Sequence, residues 1–212
     1  MSRFRRLQMV REVNGFNRQA RGGVPIIPLM KKLKVGLVFG GKSGEHEVSV
    51  VSAMSVYNAL DKSKYDVTLV GIDPTGRWLL PNQTRLLTQK ENPRLIKLNQ
   101  EKETVSLLPY QHSQQMISVD NKTATVSNFD VIFPVLHGTY GEDGTVQGLL
   151  ELAEIPYVGS GVLGSSICMD KEVARLLLAS AGIPVVKTLA VYKEDMNPGI
   201  VEHKKKTFGY PY

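Results

Sequence analysis

The chain has 212 residues, 42% hydrophobic and 22% charged, which is ordinary for a globular fold, and no apolar run of about 18 residues suits it to cross a bilayer as a helix. Its net charge of +6 sits at one end: residues 1–34 carry nine Lys/Arg and one acid, Glu12, whereas the other 178 carry 17 basic and 19 acidic side chains. The body is therefore slightly acidic, without a basic, aromatic-studded face for nucleic acid, and the single cysteine, Cys168, excludes an internal disulfide and reads as a buried, reduced thiol.

Residues 1–32 form an arginine-rich leader with no apolar core of the kind a secretory signal needs. The expectation is a disordered tail or a misassigned start, with Met30 as the alternative initiator and an organellar transit peptide as the other reading. Residues 33–39 (LKVGLVF), closed by Gly40-Gly41, read as a buried strand. Residues 43–60 read as a helix, with Val50, Ala53, Met54, Tyr57 and Leu60 on one face and Ser43 or Glu45 as cap. Residues 65–72 (YDVTLVGI) read as a second strand. Strand–helix–strand with a crossover of this length predicts a parallel sheet. Residues 75–127 are polar with short alternating runs at 104–108 and 123–126, read as an excursion containing a small hairpin. The rhythm resumes with a strand at 129–136 (FDVIFPVL), a helix at 145–152 and a short strand at 156–158. A helix follows at 169–181, begun by Asp170 and stopped by Gly182, and then a strand at 184–192.

Ligands of an open parallel sheet bind outside the carboxyl ends of its strands. Three glycine-rich loops lie there, at residues 40–47, 137–144 and 159–161, and one shared crevice is expected. The first loop holds a decoy: GLVFGGKS at 36–43 matches the pattern of a phosphate-binding P-loop. Gly36, however, would sit inside the strand rather than at its end, and Glu45 and Glu47 would repel phosphates. A dinucleotide fingerprint fails too, since Lys42 and Glu45 stand where glycines are needed. Glu45 reads either as a helix cap or as a carboxylate facing an ammonium, and Glu47 as an acid favouring the helix dipole. His137 reads either as a packed, hydrogen-bonded ring or as a ligand-facing group. Glu142 and Asp143 read as caps of the next helix, and Lys171 as a solvated helix residue or a phosphate contact.

Four segments in this order, VGLVFGGKSGEHEVS from Val35, FPVLHGTYGEDGTVQG from Phe133, IPYVGSGV from Ile155 and SICMDK from Ser166, closely resemble the successive signatures of D-alanine–D-alanine ligases. The resemblance covers about residues 33–212. It implies an α/β fold: a parallel-sheet, Rossmann-like pre-ATP-grasp domain at 33–168, then the start of an incomplete ATP-grasp domain at 169–212. It also implies a cytoplasmic, homodimeric enzyme that joins two D-alanines at the expense of ATP for peptidoglycan synthesis. Carried over by position, Glu45 would hold the ammonium of the first D-alanine and Val48 would pack on its methyl. His137 would stand near the reacting carboxyl, Gly40 and Gly41 would give the backbone room, and Lys171 would touch ATP phosphates. The Mg2+ or Mn2+ ligands of the family fall in motifs beyond those found here. The chain is thus expected to be an amino-terminal portion, inactive alone, with a non-catalytic ligand-binding remnant and a P-loop protein as the competing readings.

Overall fold

The computed structural model describes residues 31–80, 104–107, 115–118, 126–188, 190–195, 199 and 202. The leader expected at 1–32 lies, up to residue 30, outside them. One compact unit runs from Lys32 onward.

Strand β1 (Leu33–Gly40) is flanked in parallel by β2 (Tyr65–Ile72) and β7 (Val131–Leu136), with Gly40 facing Ile72 on one side and Leu136 on the other. The last six residues of β1 are buried, as a strand covered on both faces requires. Side-chain alternation then makes two cores. Leu37, Phe39, Leu69 and Val135 meet Val50, Ala53 and Met54 of helix α1 (His46–Ala59) on one face. Val38, Val70, Ile132 and Leu136 meet Val146 and Leu150 of helix α2 (Thr145–Leu152) on the other. The expected helix faces and the βαβ unit are present, although α1 starts at His46, three residues after the proposed cap Ser43.

The excursion expected at 75–127 contributes four strands to the same sheet. β3 (Trp78–Leu79), β4 (Thr104–Leu107), β5 (Gln115–Ser118) and β6 (Val126–Asn128) pair antiparallel in turn, extending the order to β6-β5-β4-β3-β2-β1-β7. The hairpin partner of β4 is β5, not the run at 123–126; of that run, Val126 opens β6, and residues 123–125 are outside the described residues. The parallel core is thus one side of a mixed sheet. The strand expected at 156–158 is a single parallel bridge, Tyr157 beside Ile132.

Three expectations in the last third are corrected. A helix not foreseen, α3 (Val162–Met169), takes up Met169, and the next helix α4 (Lys171–Ser180) begins after it. Asp170 caps α4 as expected, its carboxylate accepting from the Glu172 and Val173 amides, and Gly182 at φ +74° ends it, with Ile183 N–H reaching Leu178 C=O. Residues 184–188 and 190–192 are not a strand: Val186 is 70% exposed and no described residue pairs with this segment, and β-branched composition does not make a strand without a neighbouring ladder. Cys168 is exposed rather than buried, because α3 buries only Ser165. No helix among the described residues is long and apolar enough to cross a membrane.

The β2–β3 turn is held by one carboxylate. Asp73, fully buried, accepts from the Thr75 and Arg77 amides, the Thr75 hydroxyl and, at 2.8 Å, Arg77 Nε. Burial pushes its pKa up, but the hydrogen bonds from Thr75 and Arg77 outweigh it and hold the group below its ordinary 3.8. A depressed carboxylate pKa stabilises the fold above its unfolded value, and the gain disappears as pH falls through the native one. Asp73→Asn is therefore expected to lower stability by about 1.5–3 kcal/mol at pH 7. In urea titrations at successively lower pH, below 3.8, the gap between variant and parent should shrink.

Candidate functional site

Adjacent parallel strands β1 and β7 send their helices to opposite faces of the sheet, α1 to one and α2 to the other. Their outgoing loops diverge, which makes the gap between them a switch point and the place where an open α/β sheet binds ligands. Gly36, buried within β1 and paired on both sides, leaves no strand-end loop of P-loop form.

The first loop and the start of α1 are clasped to the end of β7 and the second loop by three serines. Ser43 Oγ donates to His137 C=O at 2.6 Å and accepts from Glu45 N–H at 3.2 Å. Ser49 Oγ, fully buried, donates to Val135 C=O and accepts from Gly40 N–H at 2.7 Å. Ser52 Oγ lies 3.0 Å from His137 Nε2. None of the three is assigned a role in binding by the sequence alone. The available signal was their placement, hydroxyls at 49 and 52 interrupting an apolar helix stretch, three residues apart and so on one face.

Glu45 occupies the N-cap position of α1 but makes no side-chain cap bond. The cap alternative is thereby removed: the carboxylate is exposed at the rim, and Oε1 stands 3.5 Å from where a Cβ on Gly138 would be. Val48, one turn on, is 53% exposed. Glu45, Val48, His137, Gly40 and Gly41 are thus gathered at one end of the parallel core. Of these, only His137, Gly40 and Gly41 line a cavity described below; Glu45 and Val48 line neither. Lys171 stands apart: it opens α4 with an exposed side chain and lines neither cavity.

The second loop is braced from within. Glu142 accepts from Gly138 N–H at 2.6 Å, and Asp143 accepts from Tyr140 N–H at 2.8 Å and Thr145 N–H at 3.0 Å. Of the two expected caps, only Asp143 reaches the helix; the N-cap residue is Gly144. Burial raises the Asp143 pKa, and the hydrogen bonds from the Tyr140 amide and from the side chain and amide of Thr145 more than reverse this, leaving it lowered. The bracing holds Tyr140 at φ +65°, an uncommon conformation for an aromatic residue, with Lys42 Nζ 5.1 Å from its ring centroid.

The three loops do not share one crevice. The second loop stands between two cavities. One, about 170 Å³, lies towards the first loop and is lined by Gly40, Gly41, Trp78, His137 and Tyr140. The other, about 380 Å³, lies towards the third and is lined by Glu142, Gln147, Gly159, Ser160 and Ser165. Leu136 and Gly141 border both.

The fold and the site define an α/β protein with a crevice at a sheet switch point, walled by two glycine-rich loops. A family model described as the D-ala D-ala ligase N-terminus matches residues 34–160, and the chain belongs to that family. It is 46% identical over 182 residues to a D-alanine–D-alanine ligase of Oceanobacillus iheyensis, covering 86% of this chain and 49% of the relative. It is 46% identical over 166 residues to D-alanine–D-alanine ligase A of Escherichia coli, covering 78% and 45%. Among solved structures it is similar to the D-alanine–D-alanine ligase of Coxiella burnetii (TM-score 0.72, 34% identity, 84% of this chain and 50% of that one). It is also similar to the VanG D-Ala:D-Ser ligase of Enterococcus faecalis (TM-score 0.66, 31% identity, 86% and 50%). The chain thus spans about half the length of the relatives it matches.

Proposed function

We propose that this chain supplies the first-substrate side of a D-alanine–D-alanine ligase. The observation that carries the reading is the free carboxylate of Glu45, held at the switch point beside the His137–Gly138 turn and not engaged in capping α1. An ammonium entering a crevice needs a paired carboxylate, and in this reading Glu45 provides it. In this reading Val48 packs on the D-alanine methyl, His137 stands by the reacting carboxyl, and Gly40 and Gly41 let the ligand approach the backbone. Residues 33–168 form the substrate-side domain, and 169–212 begin the ATP-grasp domain, where Lys171 meets ATP phosphates. A D-alanine carboxylate oxygen attacks the γ-phosphorus of ATP and ADP leaves. The amine of a second D-alanine then attacks the acyl carbon; the C–O bond to phosphate breaks, and the nitrogen gives up a proton. The dipeptide serves peptidoglycan synthesis, the use of ATP places the enzyme in the cytoplasm, and the full-length ligase is a homodimer. The described residues contain no group of three or more His, Cys, Asp or Glu that could hold a metal ion; in this reading the Mg2+ or Mn2+ ligands belong to the second half of the ligase.

The test is a chimera in which this chain is continued by the second half of the Oceanobacillus iheyensis relative. D-alanine-dependent phosphate release matched one-to-one by D-alanyl-D-alanine is the expected result. Folded chimera that releases no phosphate with D-alanine and ATP counts against the reading.

A further inference from the structure

His137 is gripped twice by one segment of chain. Its carbonyl accepts from Ser43 at 2.6 Å, and its ring Nε2 lies 3.0 Å from Ser52 Oγ, on the second turn of α1. Nδ1 has no partner among the described residues. A serine inside a helix commonly returns its proton to the carbonyl four residues back. Ser55, one turn further along α1, does so, donating to Val51 at 3.2 Å. Ser52 has only the His137 contact among the described residues, so its proton is available to the ring. If Nε2 instead carried the hydrogen, the Ser52 proton would have no acceptor among the described residues. Donation from Ser52 to Nε2 satisfies both groups.

We infer that Ser52 is a positioning residue: its hydroxyl donates to Nε2, fixes the imidazole ring, and selects the tautomer with hydrogen on Nδ1, making Nδ1–H the group His137 offers to a ligand. This rests on the ligase reading for its purpose. A donor there meets the negative charge that develops on oxygen when the carboxyl group is phosphorylated and then attacked. A bare Nδ1 lone pair would repel that charge. The second nitrogen of a functional histidine is commonly set by such a partner. No carboxylate among the described residues is bonded to Nδ1, so Ser52 and His137 do not form the first two members of a charge-assisted nucleophilic triad.

The test has two arms. In the first, the 212-residue chain is labelled with 15N at histidine, and the His137 ring nitrogens are read by NMR at a pH where the ring is neutral. The hydrogen is expected on Nδ1 in the parent, to redistribute towards Nε2 in Ser52→Ala, and to return to Nδ1 in Ser52→Thr. Alanine is the best helix former, so Ser52→Ala keeps α1. Hydrogen on Nε2 in the parent, or no change in Ser52→Ala, overturns the proposal. In the second arm the same substitutions are made in the chimeric ligase. Ser52→Ala should lower kcat about tenfold with little change in KM for D-alanine, and Ser52→Thr should recover most of the loss. A KM effect alone, or unchanged turnover despite an altered tautomer, overturns the catalytic purpose while leaving the Ser52 lock in place. Failure of the unsubstituted chimera to turn over is the separate failure of the ligase reading, and the tautomer measurement then decides the lock by itself.

Discussion

Glu45→Gln should weaken D-alanine binding by about 100-fold. Glutamine keeps the length and shape of the side chain and removes only its charge. In the ligase reading the bound ammonium and Glu45 are closed off from water together, so removing the charge leaves the ammonium buried and unpaired, a loss of about 2–3 kcal/mol, and each 1.4 kcal/mol is a factor of ten. The change does not trade against helix stability, because the Glu45 carboxylate makes no cap bond to α1. Calorimetric titration of D-alanine into the chimeric ligase and its Glu45→Gln form provides the comparison. Equal affinities would remove Glu45 from the ammonium site. Glu47→Gln, in the first turn of the same helix, serves as the control and should alter affinity little.

Gly40→Ala should destabilise the fold by about 2–5 kcal/mol, the sum of a left-handed backbone penalty of about 1–2 and an overpacking cost of about 1–3. Gly40 ends β1 at φ +91°, and an added Cβ would lie 2.2 Å from Ile72 C=O. That oxygen cannot retreat, since it belongs to the neighbouring strand and already accepts from Gly41 N–H at 2.8 Å. In a domain of this size the melting temperature should fall by about 10 °C, at roughly 2–4 °C per kcal/mol. Gly148, inside α2, has nothing within 4 Å of its notional Cβ. Gly148→Ala should therefore act in the opposite direction, by about 0.5–1 kcal/mol. Thermal melts of the two variants beside the parent test both signs; equal shifts would mean that the Gly40 conformation can relax.

The parallel core was legible because its strands are continuous apolar runs and α1 and α2 carry clear apolar faces. Residues 65–72 and 145–152 form the expected elements with the expected ends. The four antiparallel strands were harder to read. They are two to four residues long, too short for alternation to register, and β3 is defined by the Asp73 turn more than by its own composition. The last third misled for a different reason. Residues 184–192 have strand composition, but composition states a preference and the described residues provide no ladder to satisfy it. At the site, the glycine-rich loops were recognisable by placement after strands, and Glu45 and His137 with them. Whether Glu45 caps α1 was not readable, because that depends on a torsion and not on a residue type. The serine clasp was hidden because hydroxyls in a helix usually bond locally, and only the approach of β7 shows that Ser49 and Ser52 bond across 85 residues or more of sequence.

The loop at 137–144 is a partition with no thickness to spare. A Cβ on Gly141 would already lie 2.5 Å from Leu136 Cβ, and these two residues face both cavities. The capacities of the two chambers are therefore complementary: space gained on one side by moving the partition is forfeited on the other. A larger side chain at Gly141, which borders both chambers, would press on the partition itself, and any ligand that displaces the loop towards Gln147 redraws both rooms at once.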